Sequence, residues 1–148
     1  MKNKILVPVN NYETSKAVLD YLIGLNLCPD KSEITLLHIL RIPSGGEELM
    51  GKKYMENEPE KIKAMMIESK EDLINAGFFE SAINNEVVLG KFSTVADGII
   101  DYFKNNHYTM VVIGRKKLSK AEEFVLGDVS IKLVRALENT AVVVVKTI

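Results

Sequence analysis

Short aliphatic runs alternate along the chain with longer stretches whose apolar residues recur at helical spacing. Ile5–Val9 reads as a strand buried on both faces, since its residues do not alternate with polar ones. Val18, Tyr21, Leu22 and Leu25 then mark one face of a helix ending near Asn26, with Pro29 beyond it as a stop signal. Ile34–Leu40 is the second strand, followed by a loop from Arg41 to about Asn57 that carries Pro43, Gly45 and Gly46. The longest helix is expected to begin near Pro59, where a missing N–H has no helical partner to lose. Ile62, Met65, Met66, Leu73 and Ala76 keep helical spacing until Gly77, and the methionines read as core packing. Ala82–Leu89 is a third strand, and Thr94 with Asp97 resembles a capping box ahead of the helical face Val95, Ile99, Tyr102 and Phe103. Met110–Ile113 forms a fourth strand ending at Gly114. A basic loop leads to Gly127 and a helix through about Leu137, and Ala141–Lys146 is the fifth strand.

Aliphatic strands separated by helices predict an α/β fold, one doubly wound domain over residues 1–148 with a five-stranded parallel sheet covered on both faces. Asn84, Asn85 and Glu86 suit the third strand to a solvent-facing position. The last strand, Val142 to Val145, has only Lys146, Thr147 and Ile148 after it. At a sheet edge its unpaired backbone groups would invite aggregation unless something pairs with them. A second copy of the chain is the simplest partner, so a homodimer through Ala141–Lys146 is expected. An interior position, or blunting by Lys146 alone, is the alternative.

Composition narrows the function classes. The chain has 148 residues, 47% of them hydrophobic and 26% charged, a globular mixture. Nineteen basic and twenty acidic residues leave a net charge of −1, which argues against a general nucleic-acid or anionic-membrane binder. One cysteine, Cys28, excludes an internal disulfide framework, and with two histidines it leaves little for a structural zinc site, so no metal is needed for folding. The run Ile5–Val9 is too short for a signal-peptide core, and Ala141–Val145 is far below a membrane span. A soluble, reducing, cytoplasmic setting is expected.

In open parallel sheets, ligands bind beyond the carboxyl ends of the strands where the strand order reverses. The candidates are therefore Pro8, Val9 and Asn10 after strand one, His38 and Ile39 at strand two, and Ile113 to Ser130 after strand four. No Walker A loop and no Gly-x-Gly-x-x-Gly fingerprint is present. The segment from Gly114 carries Arg115, Lys116, Lys117 and Lys120 before Gly127 opens a helix. A helix start offers free N–H groups and a positive dipole end, a natural phosphate seat. A glycine followed by a basic loop is also a common solvated turn.

The pieces Ile5-Leu6-Val7-Pro8-Val9, Leu36-Leu37-His38-Ile39, Leu89-Gly90, Val111-Val112-Ile113-Gly114, Leu126-Gly127-Asp128-Val129-Ser130 and Val142-Val143-Val144-Val145-Lys146 resemble the universal stress protein family in order and spacing. The resemblance implies strand order 3-2-1-4-5 (adenine nucleotide alpha hydrolase-like) and dimerisation through the last strand. It also implies a site for ATP or AMP. Family members that bind ATP carry Gly-x2-Gly-x9-Gly-Ser/Thr after strand four and an aspartate after the first strand's proline. Gly114 and Gly127 match, Ser130 matches the second hydroxyl of the run after Gly127, and Pro8, Val9 and Ile39 match adenine-side positions; Ile113, Lys116 and Val129 flank them.

Three residues depart from that pattern: Lys117 replaces the second glycine, Asp128 the first hydroxyl, and Asn10 the aspartate. If the glycine is left-handed, lysine there costs about 1–2 kcal/mol unless the loop takes another shape. Asp128 facing a phosphate at ~4 Å is repulsive by roughly 4 kcal/mol at an effective dielectric near 20, and Lys117 at similar range is attractive by about as much. The two changes nearly cancel, or the two side chains pair and fill the site themselves. Asn10 keeps hydrogen bonding but loses the charge of a strong metal ligand. In plainer readings Asp128 only complements its helix dipole, Lys117 is a solvated loop residue, His38 a satisfied core histidine, and His107 a solvated helix end.

No nucleophile–base arrangement or carboxylate pair for acid–base work stands out, so an enzyme is not expected, weak ATP hydrolysis aside. The preferred expectation is a small dimeric regulatory or protective module with a degenerate nucleotide pocket, acting through an unidentified protein partner. The alternative is an ATP- or AMP-binding sensor.

Overall fold

The computed structural model describes residues 2–10, 12–42, 45–116 and 129–147, with Tyr12, Glu13 and residues 45–58 described in their backbone only. Within them, five strands form one sheet: β1 (Asn3–Pro8), β2 (Ser32–Arg41), β3 (Ile83–Gly90), β4 (Met110–Lys116) and β5 (Ala141–Thr147). All pair in parallel in the order β3-β2-β1-β4-β5. The helices are α1 (Tyr12–Gly24), α2 (Gly45–Asn75), α3 (Val95–Asn105) and α4 (Val129–Ala136). The fold is the doubly wound parallel arrangement expected from the alternation of elements.

Because side chains alternate across a strand, the sheet has two cores. Ile5, Val7, Val9, Ile34, Leu36 and Val112 face Val18 and Leu22 of α1 and Ile62, Met66 and Leu73 of α2. Leu6, Leu37, Ile39, Val111 and Ile113 face Ile99 and Phe103 of α3 and Leu133 of α4. The methionine stripe of α2 is core, as its spacing implied.

Local signals account for the helix ends. Thr94 caps α3, its Oγ1 accepting the Asp97 N–H at 3.1 Å and donating to the Asp97 carboxylate at 2.8 Å. At the end of α2, Gly77 takes φ +110° while its N–H reaches the Ile74 carbonyl and the Phe78 N–H reaches that of Leu73. That pattern is a Schellman closure, with Phe78 and Leu73 both buried.

Two boundaries and one buried face differ from expectation. The backbone is helical from Gly45, and α2 runs through Pro59 instead of starting there. The stretch Glu47 to Glu58 is rich in straight-chain helix formers, which offset the N–H that proline lacks. The buried face of α1 is Thr14, Ser15, Val18, Leu19 and Leu22, whereas Tyr21 and Leu25 are exposed at 41% and 39%. Finally, β4 continues past Gly114 to Lys116, and Gly114 pairs with Val145 as an ordinary rung.

The rotation of α1 has a local cause at Gly114. A Cβ at Gly114 would stand 2.8 Å from Thr14 Cβ and 2.9 Å from the Thr14 backbone oxygen. The absent side chain lets the first turn of α1 rest on β4, which sets the helix's rotation. Although alanine suits a strand better than glycine, the clash is with backbone and decides the sign. Gly114→Ala is therefore expected to lose roughly 1–3 kcal/mol, as overpacked sites do. Urea unfolding checks this, and an unchanged or higher midpoint would refute the close approach.

On the opposite face, Tyr108 Oη lies 3.3 Å from Thr35 Oγ1 and 3.3 Å from Tyr102 Oη. Burial first, then the bond to Tyr108, pushes the Tyr102 phenol well above the usual tyrosine range. A raised folded value means that stability is intact below the ordinary value of 10.0 and is lost as pH climbs past it. Tyr102→Phe should therefore lose less melting temperature between pH 9 and pH 11 than the wild type. Equal losses in the two proteins would show that the phenol is not linked to folding.

Candidate functional site

The sheet opens where its winding reverses. β1 pairs with β2 through six successive residue pairs, Asn3↔Ser32 to Pro8↔Leu37. On its other side it pairs with β4 only at Ile5↔Met110 and Leu6↔Val111, although β4 itself runs on to Lys116. Beyond Leu6 the two central strands part. Their neighbours leave toward opposite faces, α1 after β1 and α3 before β4, so nothing in the ladder holds their carboxyl ends together. This is the crevice in which doubly wound sheets place ligands.

The rim of that crevice on the β1 side is tightly fixed. Val9, the first residue past β1, donates its N–H to the Leu37 carbonyl at 2.7 Å. Its carbonyl lies 2.8 Å from His38 Nδ1. A carbonyl can only accept, so His38 carries its proton on Nδ1 here. The imidazole is buried at 5% exposure, which makes it a satisfied core histidine.

The expected site residues are not gathered by their side chains. Val9 is buried on the α1–α2 face, and Ile39 and Ile113 on the α3–α4 face. Ile39 lies so close to α3 that a Cβ at Gly98 would stand 2.5 Å from its Cγ2. Only backbone groups at Val9 and Ile39 can therefore address a ligand. Pro8 is half-buried, Asn10 is exposed at the rim, and Gly114 is occupied by the approach of α1. Arg115 is half-buried, and Lys116 ends β4 exposed to solvent. Val129 and Ser130 open α4, Val129 half-buried and Ser130 buried. Lys117, Lys120, Gly127 and Asp128 lie outside the described residues. Among the described residues no group of three or more His, Cys, Asp or Glu side chains comes together to hold a metal, and no helix is long and apolar enough to cross a membrane.

A profile of the universal stress protein family matches residues 1–146. The chain belongs to that family. Similar solved folds include the hypothetical protein MJ0577, at 22% identity and a TM-score of 0.76, covering 100% of this chain and 98% of that one. A universal stress protein in complex with cAMP gives 17% identity and a TM-score of 0.67 over 99% and 98% of the two chains. A universal stress protein from Archaeoglobus fulgidus in complex with dAMP gives 18% and 0.58 over 97% and 98%. No curated protein matches the chain significantly. At these identities the structural likeness speaks for the fold, which is the strand order 3-2-1-4-5 described above.

The strand pattern does not show how the rim of this crevice is held. The signal was present: His38 is the only imidazole within the aliphatic run Ile34–Leu40 and immediately precedes Ile39. What the pattern lacked was its partner, 29 positions away in sequence.

Proposed function

We propose that this universal stress protein binds an adenine nucleotide of the monophosphate class in preference to ATP, and acts as a dimeric regulatory module by binding rather than by turnover. The parting of β1 and β4 after Leu6 and Val111, with Val9 and Ile39 at its rim, is the observation that carries this reading. Relatives of the same fold solved with cAMP and dAMP support it. The nucleoside end of the site keeps its family residues Pro8, Val9 and Ile39. The phosphate end carries Lys117 and Asp128, and the rim carries Asn10 in place of a carboxylate. A single phosphate needs less of that altered end than three do, and Asn10 is a poor ligand for the magnesium of ATP. A cytoplasmic setting and a protein partner belong to the same proposal. A second reading, in which the pocket is degenerate and only protein partners bind, is favoured by the same three substitutions.

Mass analysis of nucleotide released from freshly purified, heat-denatured protein, together with calorimetry, separates the two readings. AMP is expected to bind more tightly than ATP, with or without Mg²⁺. The double variant Lys117→Gly, Asp128→Ser should then gain ATP affinity by about tenfold or more, equivalent to ~1.4 kcal/mol. No binding of either nucleotide at millimolar concentration would leave the degenerate pocket as the answer.

The dimer is proposed from the position of β5 at an edge of the sheet, where Val142 to Val145 are half-buried and pair with β4 on one side only. A two-fold partner strand would satisfy the other side. Val143→Lys is expected to give monomeric or insoluble protein by light scattering, and an unaltered dimer would refute pairing through this edge.

A further inference from the structure

We infer that His38 is a positioning residue that ends the β1–β2 ladder one rung early and keeps the Ile39 N–H available to a ligand. The register supplies the argument. Pro8 pairs with Leu37, so Val9 stands opposite His38. In a parallel ladder a residue's N–H goes to the residue before its opposite number, and its carbonyl accepts from the residue after it. The first bond is present, from the Val9 N–H to the Leu37 carbonyl at 2.7 Å. The second would run from the Ile39 N–H to the Val9 carbonyl. Among the described backbone bonds outside the ladders that rung is not formed, and the carbonyl takes the His38 Nδ1–H at 2.8 Å instead.

The exchange has a chemical consequence. An imidazole at 5% exposure supplies the hydrogen that Val9 needs, so the strand exit before Asn10 stays fixed without the next rung. The Ile39 N–H then points along the ladder toward the end of β1, at the mouth of the crevice. Its side chain is held under Gly98 and cannot compete for that space. A single donor fixed on rigid backbone matches one in-plane acceptor, such as a ring nitrogen of a planar heterocycle, whereas a phosphate is held by several converging N–H groups or a cation. A buried N–H without a partner is costly, which gives such a ligand a reason to bind. The ligand part of this inference rests on the nucleotide reading above, whereas the strand-exit part does not.

Amide hydrogen exchange and imidazole ¹⁵N shifts of the ligand-free protein test the strand exit, and AMP calorimetry tests the ligand. In the wild type, Ile39 should exchange at least roughly tenfold faster than Leu37, and His38 should be the Nδ1–H tautomer. His38→Leu removes the donor, so the missing rung should close, Ile39 should become protected, and AMP affinity should fall about three- to tenfold, the worth of one hydrogen bond. His38→Asn places an amide nitrogen where Nδ1 stood and should restore both the exposed Ile39 N–H and the affinity. An Nε2–H tautomer, or Ile39 as protected as Leu37 in the wild type, overturns the role of His38 without recourse to any variant. A wild type that binds no AMP but passes both of those measurements removes the nucleotide reading alone. AMP affinity unchanged in a folded His38→Leu protein removes the positioning role.

Discussion

The central strand β1 serves two neighbours unequally, and the architecture of the site follows from that inequality. Its hydrogen bonds to β2 continue to the last residue of the strand, while those to β4 stop after Leu6. A doubly wound sheet reverses its winding at this strand, so the connections on either side leave for opposite faces. The crevice is thus a product of topology rather than of special residues, and it exists whatever the loop after β4 contains.

Special residues decide how the crevice is framed. Gly114 admits the first turn of α1 against β4, and Gly98 admits Ile39 against α3. Gly114 meets the Thr14 backbone and Gly98 the Ile39 side chain, so each glycine is tied to a named neighbour rather than to a turn. Together with the bonds on Val9, they make the rim at β1 and β2 rigid, its polar reach confined to the main chain. Under the nucleotide reading proposed above, a rim of this kind would select a flat ring by shape and by one or two hydrogen bonds, and discrimination among phosphates would fall to the sequence around Lys117 and Asp128.

Much of this was legible from the chain. Four of the five strands were placed within two residues of their ends, while β4 runs three residues past its expected end at Ile113. The Thr94 cap and the Gly77 stop were readable because capping is local chemistry. The unshielded valines of β5 left an edge and an interior position open, and the edge position implied by the family resemblance is the one observed. The early start of α2 was not legible, because Pro43, Gly45, Gly46 and Pro59 carry strong breaker signals while the weaker propensity of the residues between them acts cumulatively. Tyr21 and Leu25 misled for another reason. A helical period fixes which residues share a face, but only the surface it meets fixes the rotation, and here that surface is Gly114.

Alternation of aliphatic and amphipathic segments by itself determined the layered parallel sheet, because that depends on patterns within each element, while the family and its strand order were carried by motifs such as Leu36–Ile39 and Val111–Gly114. The tertiary structure alone decided that Val9 and Ile39 turn their side chains to opposite cores and offer a ligand only backbone. It alone joined His38 to the Val9 carbonyl across 29 residues of chain. Sequence spacing carries the period of a strand but not the register between two of them, and register determines which hydrogen bonds are made and which are left for a ligand.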